Sequence, residues 1–117
     1  MRPATLAHVA ALSGALAVIA GAFGAHGVTG KSAEWLATGG HYELVHAVAA
    51  LVALQLGNRT AAALLLGGSL LFAGTLYAMA LGAPLWLGAV TPLGGLGMIV
   101  GWLLLAWRVG IPDRREK

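Results

Sequence analysis

The segment His41-Tyr42-Glu43-Leu44-Val45-His46 holds the densest set of side chains in this sequence that could carry chemistry. A helix turns about 100° per residue, so Tyr42, Glu43 and His46 fall within one arc of roughly 100°. Small residues continue this face along the same helix, namely Ala49, Ala50 and Ala53. The pattern predicts a polar face that passes into a close-packing face and points toward neighbouring helices.

Metal binding is one chemistry that this segment suggests. Three imidazoles, from His26, His41 and His46, suit zinc or copper, with or without the Glu43 carboxylate. The same side chains, together with Tyr42, suit a haem or the headgroup of a quinone, or a proton relay. A purely structural role is the other interpretation, in which each histidine hydrogen-bonds a helix end or a loop carbonyl. No cofactor is required by the sequence, and these alternatives stay open here.

Two enzymatic motifs are excluded by their context. Residues 25–32 resemble a phosphate-binding loop, but Ala25 replaces the first glycine and the segment follows an apolar run rather than a β-strand. The only aspartate is Asp113, near the C-terminus, so no Ser-His-Asp set can form among the apolar runs. We therefore expect no enzymatic activity.

Composition indicates which elements must position these side chains. The chain has 117 residues, of which 59% are hydrophobic and 9% charged, against about 25% charged in soluble domains. It has no cysteine, which excludes disulfide and thiolate-metal chemistry. The net charge of +3 does not indicate nucleic-acid binding, because the basic residues are not interleaved with aromatic residues. We expect an integral protein of the inner membrane whose main partner is the lipid bilayer.

Four apolar runs predict an all-α transmembrane four-helix bundle forming a single domain over residues 1–117. A short interfacial helix is expected over residues 32–38, ended by a break at Gly39-Gly40. The apolar run from Leu44 to Leu56 is too short to cross a membrane, so the second helix must either extend upstream through Trp35 or start at His41. The tail over residues 112–117 is polar and expected to be cytoplasmic. The predicted spans are residues 4–25, 41–56, 60–81 and 91–109.

The basic residues predict the orientation of the bundle. Four spans place both termini on one side, and only Lys31 falls on the other side. The positive-inside rule then makes the termini cytoplasmic, so that the candidate site lies at the outer ends of the first two spans. The basic residues on the terminal side are Arg2, Arg59, Arg108, Arg114, Arg115 and Lys117.

Glycines at helical spacing predict where the helices touch. In lipid, helices associate through close packing of small residues, since lipid is as apolar as their side chains. The third span, for example, carries Gly67 and Gly74, and we expect a leucine at Gly74 to damage packing. The full predicted set of packing glycines is Gly14, Gly21, Gly24, Gly67, Gly74, Gly94, Gly97 and Gly101.

The order of several short motifs resembles the DUF423 family of small membrane proteins of unknown function. The motifs include Gly21-Ala22-Phe23-Gly24-Ala25-His26-Gly27, then Tyr42 with His46-Ala47. Phe72-Ala73-Gly74-Thr75-Leu76-Tyr77, Thr91-Pro92-Leu93-Gly94-Gly95 and Gly101-Trp102 follow in the same order. The resemblance implies a small multi-pass membrane protein and no established activity.

Two function classes follow from these observations. The first is a non-catalytic membrane protein, acting as an accessory subunit of a larger membrane complex or as a homo-oligomer. The second is a binding or transport module, whose polar pocket is formed by His26, His41, Tyr42, Glu43 and His46. The gathering of these side chains in one part of the sequence favours the second class, whereas the small size and short loops favour the first.

Overall fold

A computed structural model describes residues 2–109 of the chain. The predicted polar tail over residues 112–117 lies outside this range. The described part forms four α-helices and a short 3₁₀ helix, Leu85–Ala89. The α-helices are α1 Pro3–His26, α2 Gly30–Gln55, α3 Arg59–Ala80 and α4 Thr91–Val109.

Local sequence explains where these helices begin and end. Pro3 occupies the first turn of α1, where its missing N–H costs no helical hydrogen bond. Asn58 caps α3, because its side-chain oxygen accepts a 3.0 Å hydrogen bond from the Ala61 N–H. Gly57 and Gly82 follow α2 and α3 with φ of 78° and 102°, a left-handed conformation that glycine adopts without strain.

The second helix is longer than the sequence predicted. It runs without a break from Gly30 to Gln55, so residues 32–38 belong to its first turns and do not form a separate helix. The glycines expected to break it instead allow close contact on two sides. A Cβ on Gly39 would lie 2.7 Å from the Tyr77 ring, and a Cβ on Gly40 would lie 3.1 Å from the Ala17 carbonyl oxygen.

The four helices pack in chain order. Helices α2 and α3 form the middle of the bundle, α1 packs on α2, and α4 packs on α3. At the end of the bundle that holds the α2–α3 turn, the core is apolar and built largely from alanine and leucine. This cluster consists of Leu6, Ala10, Ala49, Ala50, Ala53, Ala61, Ala62, Leu65 and Leu66.

The exterior of the bundle is strongly apolar. Leu12 on α1 is 71% exposed and Leu103 on α4 is 65% exposed, and many other large hydrophobic side chains also face outward. Three stretches of the described chain are long and apolar enough to cross a membrane: Pro3–His26, Arg59–Ala80 and Leu85–Arg108. Helix α2 has 26 residues and, at about 39 Å, is long enough, but it carries more polar groups.

Several of the predicted glycines lie at helix contacts. A Cβ on Gly24 would come within 2.9 Å of the Leu36 Cβ, and one on Gly101 within 2.9 Å of the Leu65 side chain. Gly94 and Gly97 face α3, where a Cβ would meet backbone atoms at 2.5 and 3.3 Å. Two looser positions lie on α1. A Cβ on Gly14 would lie 3.9 Å from the Ala47 Cβ, whereas a Cβ on Gly21 would meet no atom within 4 Å, although the Gly21 backbone nitrogen would lie 3.3 Å from a Cβ on Gly40.

The structure corrects the predicted seam on α3. Gly67 and Gly74 are exposed, and a Cβ on either would meet no atom within 4 Å, so neither glycine is at a helix contact among residues 2–109. The contact passes through Gly68 instead, where a Cβ would lie 2.7 Å from the Gly94 carbonyl oxygen. Gly68 is rotated about 100° from Gly67 on the helix, which is enough to change the face that it occupies.

Candidate functional site

A fully buried carboxyl group lies near the middle of α2. Glu43 has no exposed surface, and its two side-chain oxygens accept hydrogen bonds from two other helices. The Ser13 hydroxyl of α1 donates to Oε2 at 2.7 Å, and the Tyr77 hydroxyl of α3 donates to Oε1 at 2.6 Å. Glu43 therefore joins three helices through two neutral donors.

The position of Tyr77 depends on a glycine one turn before Glu43. The Tyr77 ring lies directly over Gly39, close enough that a Cβ there would be 2.7 Å from the ring. Because residues four apart share a helix face, the space at Gly39 admits the ring and brings its hydroxyl to Glu43. The local sequence of α2 thus provides both the acceptor and the space for the donor.

A second polar contact, at His46, joins α2 to α4. The Trp102 indole Nε1–H donates a 3.0 Å hydrogen bond to Nε2 of His46. The other ring nitrogen, Nδ1, lies 2.7 Å from the Tyr42 carbonyl oxygen. An indole nitrogen can only donate, so Nε2 of His46 is the acceptor. The ring proton is then on Nδ1, which donates a hydrogen bond to the Tyr42 carbonyl oxygen. His46 is therefore the neutral Nδ1–H tautomer, with both nitrogens engaged.

Aromatic side chains extend from His46 toward the surface of the bundle. The Tyr42 ring stacks on His46 with the ring centroids 6.1 Å apart and contacts Phe72 of α3 at 4.8 Å. His41 meets the Tyr42 ring edge-on at 5.9 Å. Tyr42 is 42% exposed and Trp102 43% exposed, so this cluster covers one side of His46 and also contributes to the outer surface.

Further hydroxyl contacts join the helices at the end of the bundle that holds the α1–α2 and α3–α4 connections. The Thr75 and Thr91 hydroxyl oxygens are 2.6 Å apart and link α3 to the first residue of α4. The Ser32 hydroxyl, near the start of α2, donates to the Ala80 carbonyl oxygen at the end of α3. These polar contacts lie between Glu43 and the α1–α2 and α3–α4 connections. The opposite end of the bundle, at the α2–α3 turn, is held mainly by apolar packing.

The predicted site residues divide into two groups. Glu43 and His46 face the interior, as expected from the arc that they share with Tyr42. Tyr42 is only partly covered, and His41 and His26 are exposed. The site also lies at the middle of α2 rather than at its outer end, because α2 begins eleven residues earlier than predicted.

The three predicted histidines do not converge. Gly24 of α1 packs against Leu36 of α2, so His26 lies level with the first turns of α2. It is then about 16 Å from His46 along the helix axis. Within residues 2–109, no three His, Asp or Glu side chains form a group suited to holding a metal ion. The structure of residues 2–109 therefore does not bring together His26, His41 and His46, the three candidate metal ligands.

Sequence reasoning missed the hydrogen-bond partners of the two central residues. Ser13, Tyr77 and Trp102 each belong to a different helix, and nothing in the spacing along α2 identifies them. Helical periodicity finds polar faces but not the relative register of two helices. One signal in the sequence could have identified them. Each buried polar atom needs a hydrogen-bond partner, and the apolar runs contain only a few hydroxyl and indole groups that could serve.

The fold and these contacts define a class of protein. An all-helical bundle with an apolar exterior and a small, hydrogen-bonded polar interior is an integral membrane protein. The sequence signature of a family described as "Protein of unknown function (DUF423)" matches residues 20–95. The chain belongs to this family, which confirms the resemblance seen in its motifs.

Curated relatives carry membrane-protein names. A UPF0382 membrane protein of Haemophilus influenzae is 40% identical over 107 residues, covering 83% of this chain and 86% of the relative. The UPF0382 membrane protein YwdK of Bacillus subtilis is 37% identical, covering 81% and 87%. The UPF0382 inner membrane protein YgdD of Escherichia coli is 36% identical, covering 82% of each chain. No solved structure matches this chain.

Proposed function

We propose that this protein is a non-catalytic inner-membrane protein, acting as a homo-oligomer or as an accessory subunit of a membrane complex. In this proposal the contacts of Glu43 and His46 hold the helices in register and do not bind a ligand. One observation carries it: within residues 2–109, no buried side-chain nitrogen or oxygen lacks a hydrogen-bond partner. A polar cluster that is already satisfied rigidifies the helix packing around it.

The state of His46 supports a structural role most directly. A histidine that binds a metal or haem iron needs a free nitrogen lone pair. The Nε2 lone pair accepts from Trp102, and the Nδ1–H donates to the Tyr42 carbonyl oxygen. Ligand binding at His46 would break one of these bonds and leave a partly buried polar group without a partner, at a cost of about 1–3 kcal/mol.

The proposal includes four membrane crossings with cytoplasmic termini. Arg2, Arg59 and Arg108 lie at one end of the helices, and Lys31 lies at the other end. Lys31 pairs with the exposed Glu34 at 3.4 Å, which reduces the net positive charge at that end. The positive-inside rule then favours a cytoplasmic location for the arginine-rich end. The Escherichia coli relative is named an inner membrane protein, which supports placing the bundle in the inner membrane.

The experiment that tests this function is purification in mild detergent, followed by metal analysis and a visible absorption spectrum. Under the proposal, neither a metal nor a chromophore is retained in stoichiometric amount. His46→Gln then lowers the thermal stability of the purified protein and changes no spectrum. If the wild-type protein held stoichiometric haem or metal and His46→Ala lost it, His46 would be a ligand in a binding site, and the purely structural role would be wrong.

A second function, proton transport, is favoured by the position of Glu43. An ionisable side chain at membrane depth is by default a candidate for a proton or ion pathway. Glu43 lies at mid-helix, and its two hydrogen-bond partners are neutral hydroxyls rather than cations. Proteoliposomes that contain a pH-sensitive dye test this function. A proton flux that requires the wild-type protein and disappears in Glu43→Gln would establish it, and equal flux in both would exclude it.

A further inference from the structure

The two hydroxyls that bond to Glu43 reach it from opposite ends of the bundle. The connection end is the end that holds the α1–α2 and α3–α4 connections, and the turn end is the end that holds the α2–α3 turn. Tyr77 is three residues from the connection end of α3, and its ring lies over Gly39, one turn closer to that end than Glu43. Ser13 adjoins Gly14, which faces Ala47, one turn closer to the turn end.

The interior between Glu43 and the turn end is closed to water. Ala10, Ala50 and Ala53 have no exposed surface, and they belong to the apolar cluster that fills this end. Two buried polar side chains on this side, His46 and Ser69, bond to other groups and not to Glu43. No chain of hydrogen-bonded side chains therefore leads from Glu43 to the turn end among residues 2–109.

The interior toward the connection end is more polar. The Tyr77 side chain is half-buried, whereas Glu43 is fully buried. Above its ring the Ser32 hydroxyl donates to the Ala80 carbonyl oxygen, and the charged side chains of Lys31 and Glu34 are 70% exposed. The phenol of Tyr77 therefore lies between the Glu43 carboxyl and the polar groups of the connection end.

The surroundings of Glu43 favour a carboxyl group that carries a proton. Both of its hydrogen bonds come from neutral hydroxyls, and an ionised carboxylate buried without a cation is costly. A protonated carboxyl keeps both contacts, because its O–H donates to the Ser13 oxygen while the Ser13 hydroxyl turns to a carbonyl of the preceding turn. The basic side chains of the described chain lie at helix ends, namely Arg2, Lys31, Arg59 and Arg108.

We propose that Glu43 is a proton-binding site that exchanges its proton with the connection end, through the Tyr77 hydroxyl, and not with the turn end. The Tyr77 hydroxyl passes its proton to Oε1 of the carboxylate while its oxygen takes a proton from a hydronium ion at the connection end. The phenol is restored, water remains and the carboxylate becomes a carboxylic acid; release is the reverse. The inference rests on the proton-transport function proposed for Glu43 and names the end from which the proton comes.

Infrared spectroscopy of the protein, purified in a detergent without carbonyl groups, tests for the bound proton. A protonated carboxyl has a C=O stretching band separate from those of ionised carboxylates, and an exposed glutamate such as Glu34 is ionised at neutral pH. The wild-type protein and Glu34→Gln should both show this band, and Glu43→Gln should lack it. A wild-type protein without the band, or a band that persists in Glu43→Gln, would overturn the site.

The rate at which this band shifts on transfer to D₂O tests the route. Tyr77→Phe should slow the shift about a hundredfold, the lower part of the range for a positioned proton-transfer group. Ser13→Ala is the matched control, because it also removes a hydroxyl bonded to Glu43 but should not slow the exchange. A merely structural role of Tyr77 predicts the opposite result, since a loosened bundle admits water and speeds the exchange.

Gly39→Ala provides a second change that retains the phenol. Its Cβ would lie 2.7 Å from the Tyr77 ring, so the ring must move and carry its hydroxyl away from Glu43. The exchange should slow in this variant as well. Unchanged or faster exchange in both Tyr77→Phe and Gly39→Ala would overturn the route, and so would equal slowing in Ser13→Ala and Tyr77→Phe.

The proteoliposome flux assay separates this route from the function on which it rests. Exchange that depends on Tyr77, without any proton flux, would support the one-sided site and exclude transport. Flux that is lost in Glu43→Gln but unchanged in Tyr77→Phe would establish transport and overturn the route through Tyr77.

Discussion

The Trp102 indole donates its N–H to Nε2 of His46 across 3.0 Å, and this bond fixes which nitrogen of the imidazole carries its proton. It also connects two helices that are not packed along their lengths, because α2 contacts α3 and α4 contacts α3. The long side chain of Trp102 spans this separation. The tryptophan therefore acts as a link from the outer helix to the centre of the bundle.

Trp102→Phe should destabilise the protein by about 1–3 kcal/mol, because the ring remains but Nε2 of His46 loses its donor. The measurement is unfolding of the purified protein in detergent. Trp107→Phe is the matched control on the same helix, since Trp107 is 70% exposed and should change stability little. Equal stability of the two variants would mean that the indole hydrogen bond to His46 does not form.

Tyr77→Phe should be more destabilising than Tyr42→Phe. The Tyr77 hydroxyl donates to the buried Glu43 carboxyl, whereas the Tyr42 hydroxyl has no hydrogen-bond partner among residues 2–109. Removing the first hydroxyl leaves Glu43 Oε1 unsatisfied in the interior, at a cost of about 1–3 kcal/mol. Unfolding midpoints in one detergent compare the two variants directly. A Tyr42→Phe effect as large as that of Tyr77→Phe would contradict the hydrogen-bond assignment.

The sequence predicted the elements of the fold better than their contacts. Apolar runs placed α1, α3 and α4 to within a few residues, because a membrane-spanning helix is a long, uniform feature. The predicted bounds 41–56 begin eleven residues after the start of α2, and the alternative of a helix extending upstream through Trp35 is nearer to the structure. Gly39-Gly40 resembles a helix break when only local preference is considered. Close approach of the Tyr77 ring and of α1 explains both glycines, and that approach is a property of three helices together.

The candidate site shows the same limit. The arc shared by Glu43 and His46 follows from helical periodicity and is confirmed by their burial. The convergence of His26 with His46 required a register between α1 and α2 that periodicity does not supply. That register is set by contacts such as Gly24 with Leu36, where backbone and small side chains meet. Such contacts depend on the three-dimensional packing rather than on the pattern of one helix.

The proposed topology predicts a cytoplasmic C-terminus. A reporter that is active only in the cytoplasm, fused after Lys117, should be active, and a periplasmic reporter at the same position should be silent. A fusion at Thr29, in the α1–α2 connection, should give the opposite result. The physical reason is the excess of Lys and Arg at the terminal end of the helices. Periplasmic activity at the Lys117 fusion would reverse the orientation.

Gly68→Ala should disrupt the contact of α3 with α4, whereas Gly67→Ala should not. A Cβ on Gly68 would lie 2.7 Å from both the Gly94 carbonyl oxygen and the Met98 nitrogen, and these backbone atoms cannot rotate away. The helices must separate, which costs about 1–3 kcal/mol. A Cβ on Gly67 would meet nothing within 4 Å, and alanine favours the helix. Detergent unfolding of both variants provides the measurement, and a Gly67→Ala loss equal to that of Gly68→Ala would contradict this packing.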